Sequence, residues 1–144
     1  MKILVLEDKR ERIDFFKQHY QREEDQLVIA SDVEIALNLL DNYDFGLIFI
    51  DQDLGNDENG ISRGRGAQVV AYLTEPHISP NAIIVIHSSN MVDGPQMERA
   101  LRNAKRLAWH LPFHIFSAKL KDEKVWEADI ESWRRSTEQH GWEK

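Results

Sequence analysis

The stretch "LIFIDQDLG", Leu47 to Gly55, decides how this sequence folds. Its four consecutive apolar residues, Leu47 to Ile50, have the length and the β-branched and aromatic content of a short strand buried on both faces. Two carboxylates, Asp51 and Asp53, stand where that strand ends. A strand that is apolar throughout needs helices on both sides of its sheet, so similar strands separated by helical segments are expected on either side.

The rest of the chain supplies them. Apolar runs recur at "ILVL" (Ile3 to Leu6), "LVIA" (Leu27 to Ala30), "IIVI" (Ile83 to Ile86) and "FHIF" (Phe113 to Phe116). Between and after them, apolar residues return at helical spacing: Ile13, Phe16 and Tyr20; Ile35, Leu39 and Leu40; Val70 and Leu73; Met97, Leu101 and Ala104; Trp126, Ile130 and Trp133. Ser31 with Glu34 has the pattern of a capping box, Pro95 suits a first helical turn, and Asp122 suits the cap of the last helix. Five alternations of strand and helix predict one α/β domain over residues 1–144, a doubly wound (βα)5 sandwich on a five-stranded parallel sheet.

Composition narrows the function classes. Hydrophobic residues make up 42% of 144, enough for one core, and the formal charge of -7 argues against a protein that coats DNA, which needs a basic footprint. No apolar run reaches bilayer length, and "MKILVLEDKRER" turns charged too early for a signal peptide. The chain has no cysteine, which is compatible with a reducing compartment. A cytoplasmic protein without a membrane segment is the expectation.

In doubly wound sheets, ligands bind beyond the carboxyl ends of the strands. Glu7 and Asp8 follow the first strand, Asp51 and Asp53 the third, and His87, Ser88, Ser89 and Asn90 the fourth. Ser117 and Lys119 follow the expected fifth. Carboxylates gathered on one rim repel each other unless a cation neutralises them, and an oxygen-only set selects a hard ion such as Mg²⁺. Glu7, Asp8 and Asp51 are the candidate metal ligands. Capping of a helix would account for Asp8 alone but not for the whole group, and Asp53 has the simpler alternative of closing the turn before Gly55.

The run "HSSN" offers an imidazole, two hydroxyls and an amide where a phosphate would lie, making His87 a proton-transfer candidate and Ser88 and Asn90 phosphate ligands. A structural histidine is the plainer alternative for His87. His114, inside "FHIF", reads as core, and His19, His110 and His140 as surface or interface residues. "GNDENGISRGRGAQ" is expected to be a mobile loop whose Arg63 and Arg65 either clamp an anionic substrate or answer neighbouring acids. Neither a GxGxxG fingerprint after the first strand nor a GKS or GKT phosphate loop is present, which removes the main support for nucleotide-cofactor and NTPase functions.

The acid pair after the first strand, an Asp after the third, a hydroxyl after the fourth and a Lys near the fifth resemble the receiver domains of two-component signalling over nearly the whole chain. That resemblance implies the flavodoxin-like strand order 2-1-3-4-5, Mg²⁺ held by Glu7 and Asp8, and Asp51 as phosphoacceptor. Three features depart from the pattern: Leu54-Gly55 replaces Leu-Pro, His87 replaces Thr or Ser, and no Lys-Pro follows the fifth strand. "LEDKRER", "DQDLG" and "HSSN" together look more like the receiver-like family proposed to process cyclic phosphates. This implies an enzyme acting on a phosphate-bearing small molecule or RNA end, with Asp51 as nucleophile or metal ligand and Asp53 and His87 as acid/base candidates. The alternatives are a stand-alone signalling receiver phosphorylated by a histidine kinase, and a degenerate receiver that only binds partners.

Overall fold

Side chains along a strand alternate between its two faces, so a run such as Leu47–Ile50 is stable only where both faces are covered. The computed structural model describes the backbone of residues 1–140 and side chains to residue 135. Its strands are β1 (Lys2–Leu6), β2 (Gln26–Ala30), β3 (Leu47–Ile50), β4 (Ile83–Ile86) and β5 (Leu107–His110). All pair in parallel in the order β2-β1-β3-β4-β5. The helices are α1 (Arg10–His19), α2 (Val33–Asn42), α3 (Gly66–Leu73), α4 (Asp93–Asn103), α5 (Phe113–Lys121) and α6 (Glu123–His140). This is the doubly wound α/β sandwich expected from the sequence.

Alternation divides the core in two. Leu4, Leu6, Ile48, Ile50, Ile84 and Ile86 point to one face, packing with Ala36 and Leu40 of α2, Val69, Val70 and Leu73 of α3, and Met97 and Leu101 of α4. Ile3, Val5, Leu47, Phe49, Ile83 and Val85 point to the other, against Phe16 of α1, Phe116 and Leu120 of α5 and Trp126 of α6. The inward stripe of α2 is Val33, Ala36 and Leu40, while Ile35 is exposed.

The fifth strand is not "FHIF". Phe113–Phe116 opens helix α5, and the strand is the less apolar "LAWH" at Leu107–His110. As an edge strand β5 needs less cover, although Trp109 still stacks on Trp133 of α6 with ring centroids 4.2 Å apart. In a helix, Phe113, Phe116 and Leu120 fall on one side. Phe116 and Leu120 are buried, whereas His114 is exposed rather than core.

Local signals shifted by a residue or two. Asp32, not Ser31, caps α2, its Oδ1 accepting from Ile35 N at 2.8 Å. Pro95 is the third residue of α4 rather than the first. Asp122 Oδ1 accepts from Lys124 N and Val125 N, capping α6 as expected. The His140 side chain lies outside the described residues. No helix among the described residues is long and apolar enough to cross a membrane.

Candidate metal and phosphate site

The side-chain alternation that builds the core also builds the site. Val5, Phe49 and Val85 are cross-strand neighbours on the α1/α5 face. Two residues further along each strand stand Glu7, Asp51 and His87, on the same face and one step past the strand ends. Main-chain bonds extend the ladder that far: Glu7 N donates to Ala30 O, Asp51 N to Leu6 O and His87 N to Ile50 O. All three side chains are buried.

Asp8 completes an acidic cluster in which one carboxylate oxygen from each of Glu7, Asp8 and Asp51 lies within 4.8 Å of the others. Most of these oxygens are held. Glu7 Oε2 accepts from Asp8 N at 3.0 Å and Lys9 N at 3.1 Å, Asp8 Oδ2 from Gly55 N at 3.0 Å, and Asp51 Oδ1 from Gln52 N at 3.0 Å. Asp8 Oδ1 and Asp51 Oδ2 are buried without a hydrogen-bond partner. Two buried anionic oxygens left bare beside a third carboxylate, with no nitrogen or sulfur donor among the three, fit a hard divalent cation such as Mg²⁺. Glu7, Asp8 and Asp51 would hold it.

His87 stands behind this cluster. Its Nε2 lies 2.9 Å from Glu7 Oε1, and its ring sits among Phe16, Phe49 and Phe113 with centroids 5.3, 6.4 and 6.3 Å away. Burial would raise the Glu7 carboxyl, but the His87 hydrogen bond and charge, the Lys9 amide and Arg12 outweigh it and hold Glu7 below its ordinary value. At Asp51 burial prevails. With the Glu7 charge it pushes that carboxyl above its ordinary value, against the opposing pull of His87, Arg12 and Lys9.

Above the cluster opens a pocket of about 310 Å³ lined by Lys9, Arg12, Asp51, Asp53, Ser88, Ser89 and Asn90. Asn90 is fixed by the start of α4, its Oδ1 accepting from Val92 N and Asp93 N while its Nδ2 donates to Asp53 Oδ2 at 3.0 Å and Asp93 Oδ2 at 3.1 Å. Ser88 Oγ accepts from Asn90 N, and Ser88 O lies 2.8 Å from His110 Nε2.

The loop arginines face elsewhere. Arg65 lies 3.8 Å from Asp53 Oδ1 and 3.5 Å from Asp93 Oδ2 at the outer rim. Arg63 donates through Nε to Asn56 O and passes its own carbonyl to Val33 N, tying the loop to α2. An Asn56–Ser62 bridge and Asp57 Oδ1, which accepts from Asn59 N and Ile61 N, give the loop internal order. Lys119 is in α5, paired at 2.9 Å with Asp129 of α6. The basic residue at the end of β5 is instead His110, followed by Leu111-Pro112.

Of the residues singled out in the sequence, the fold thus joins Glu7 and Asp8 to Asp51 in the acidic cluster and gathers Asp51, Asp53, Ser88 and Asn90 around one opening. His87 is behind it, Arg65 beside it, and Arg63 and Lys119 are away from it. Lys9, Arg12 and Ser89 also line it, and sequence reading gave Lys9 and Arg12 no role. Arg12 could have been found from its place one turn before Phe16 on the inward face of α1.

A parallel sheet of this order with an acidic cluster beyond β1 and β3 defines a receiver domain. A family described as "Cyclic-phosphate processing Receiver domain" matches residues 2–103, and the chain belongs to it. The matched span ends with α4, before β5, α5 and α6. No curated protein matches the chain. Similar solved structures include a CheY-like response regulator receiver domain from Methanospirillum hungatei, 19% identical with TM-score 0.63, covering 90% of this chain and 97% of that one. The phosphorylated cyanobacterial phytochrome response regulator RcpA is 16% identical with TM-score 0.65 and covers 94% of each chain. A Burkholderia pseudomallei response regulator with a phosphorylated aspartic acid, calcium ion and citrate is 16% identical with TM-score 0.59, covering 97% of this chain and 85% of that one. At these identities the likeness concerns the fold.

Proposed function

We propose that this protein is a Mg²⁺-dependent hydrolase of cyclic phosphate esters, taking a phosphate-bearing small molecule or an RNA end in the cytoplasm. The observation that carries the reading is the bare Asp51 Oδ2 beside a cation-fitting cluster, under a pocket lined with hydroxyl and amide groups; the family description gives the substrate class. Bound Mg²⁺ would supply charge neutralisation at the phosphoryl oxygens.

The chain's own groups would do the rest. Asp51 attacks phosphorus, a P–Oδ bond forms, and one ring P–O bond breaks. The departing alkoxide takes a proton from a water that the Asp53 carboxylate would orient at the pocket mouth, and the hydroxide left behind is neutralised when the second step releases a proton. Ser88, Ser89 and Asn90 orient the ester. Water then cleaves the acyl-phosphate bond, restoring Asp51 and leaving a phosphomonoester. The geometry lends less to His87 as the proton donor, since Glu7 lies on its Nε2 and it does not line the opening.

A second reading has its own support: one structural relative is phosphorylated and another carries a phosphorylated aspartic acid, so Asp51 could accept a phosphoryl group from a histidine kinase and keep it. The test is incubation with nucleoside 2′,3′-cyclic phosphates and RNA bearing cyclic ends, with Mg²⁺ or with EDTA, beside phosphoramidate labelling. Mg²⁺-dependent release of phosphomonoester, lost in Asp51→Asn, is the expected result. Stable labelling of Asp51 without turnover of any cyclic ester would replace the hydrolase by the signalling receiver.

A further inference from the structure

We propose that Arg12 is the guanidinium that grips the phosphoryl group in this pocket, two of its N–H donors bridging two non-bridging oxygens. The inference rests on the reading of the pocket as a phosphoryl site and is independent of whether a cyclic ester is hydrolysed there.

Arg12 projects from the first turn of α1 and is largely buried, with a side chain 13% exposed. Burying a guanidinium is costly unless its donors are used. Yet its contacts are loose. Nη1 lies 3.6 Å from Glu7 Oε1 and 3.9 Å from Asp51 Oδ1, beyond hydrogen-bond length, and Nη2 donates to Ser89 Oγ at 3.3 Å. One face of the group is covered by the Phe113 ring, 4.6 Å from the guanidinium carbon. The ring takes one side of the group by a cation–π contact, and Arg12 lines the opening. A planar fork beside an aromatic ring, charged and short of acceptors, is the arrangement that recognises two phosphate oxygens together.

The other cations of the neighbourhood are committed or differently placed. Lys119 is paired with Asp129, Arg65 with Asp53 and Asp93, and Arg63 is bonded to Asn56 O. His110 at the end of β5 is engaged by Ser88 O. Lys9 lines the mouth but is exposed, where an ammonium adds little directional grip. Phe113, whose ring lies against the Arg12 guanidinium, belongs to the segment that is a helix here rather than a strand.

Calorimetry with inorganic phosphate at fixed Mg²⁺, and with Mg²⁺ alone, tests this on the whole chain. Arg12→Gln should weaken phosphate binding at least tenfold while Mg²⁺ alone binds as tightly or tighter, because a cation beside Glu7 and Asp51 has been removed. Arg12→Lys keeps the charge but cannot bridge two oxygens, so a loss of threefold or more is expected. That variant decides the matter if Arg12→Gln does not fold. Phosphate affinity within twofold of wild type in the folded variants overturns the proposal, as does a loss that merely follows weakened Mg²⁺ binding. Failure of the wild type to bind phosphate at millimolar concentrations with Mg²⁺ present overturns it too. A wild type that turns over no cyclic ester leaves these outcomes unchanged.

Discussion

His87 shows how a single register position sets what a side chain can do. It continues the inward alternation of Ile83 and Val85, so its ring enters the aromatic cluster and its Nε2 meets Glu7. Ser88, one residue on, lines the opening. Replacing His87 by Thr removes the partner of a buried carboxylate and leaves a void among Phe16, Phe49 and Phe113, a loss of about 2–4 kcal/mol. Urea denaturation of His87→Thr should therefore show a clear fall in stability, and Mg²⁺ affinity should fall with it as Glu7 loses its anchor. A drop in turnover of roughly 10²-fold or more, with stability and Mg²⁺ binding intact, would instead give the imidazole a direct part in proton transfer.

At the scale of elements, the approach of α3 to β3 fixes Asp51. Gly66 begins α3, and a Cβ built there would stand 2.1 Å from the Asp51 carbonyl oxygen, a backbone atom that cannot turn aside. Gly66→Ala should thus push α3 off the strand end, costing about 3 kcal/mol or more and weakening Mg²⁺ binding together with thermal stability. Wild-type stability in that variant would show that the close approach is not needed. Four strands were legible in the sequence because each is a run apolar on both faces, and the acids that follow them marked the rim. The fifth was not. "LAWH" is an edge strand only half covered, while "FHIF" mimics a strand in composition and gains its helical character from Pro112 before it and Leu120 after it. That exchange is why Lys119 was expected at the rim and stands instead between α5 and α6. Of the two alternatives for the loop arginines, Arg65 takes the answer to neighbouring acids, Asp53 and Asp93, while Arg63 meets the Asn56 carbonyl. Which acceptors they meet depends on how the loop returns to α2 and α4, and local sequence does not encode that path.

The whole molecule carries a tension between stability and site. Two bare carboxylate oxygens sit at the junction of β1 and β3, and burial with the Glu7 charge raises the Asp51 carboxyl above its ordinary value of 3.8. Without metal the folded protein therefore holds the Asp51 proton at pH values where the unfolded chain has released it. Stability attributable to this group falls as pH rises from that ordinary value through the raised one. Glu7 acts in the opposite sense and lower down: held below 4.5, it contributes stability above that value, and loses it as pH falls through its depressed one. Asp51→Asn removes the first effect and leaves the second. In EDTA at neutral pH the variant should melt higher than wild type, and the gap should close on acidification as wild-type Asp51 takes up its proton. Mg²⁺ should raise the wild-type melting temperature by an amount that grows with its concentration and shrinks at lower pH, where protons compete for the same oxygens, and should raise that of the variant little. Thermal melts of both proteins across neutral to mildly acidic pH, with and without Mg²⁺, measure all of this. Equal apo stabilities at neutral pH, or a gap that does not depend on pH, would mean that Asp51 is not strained by its burial and that the carboxylates do not await a cation.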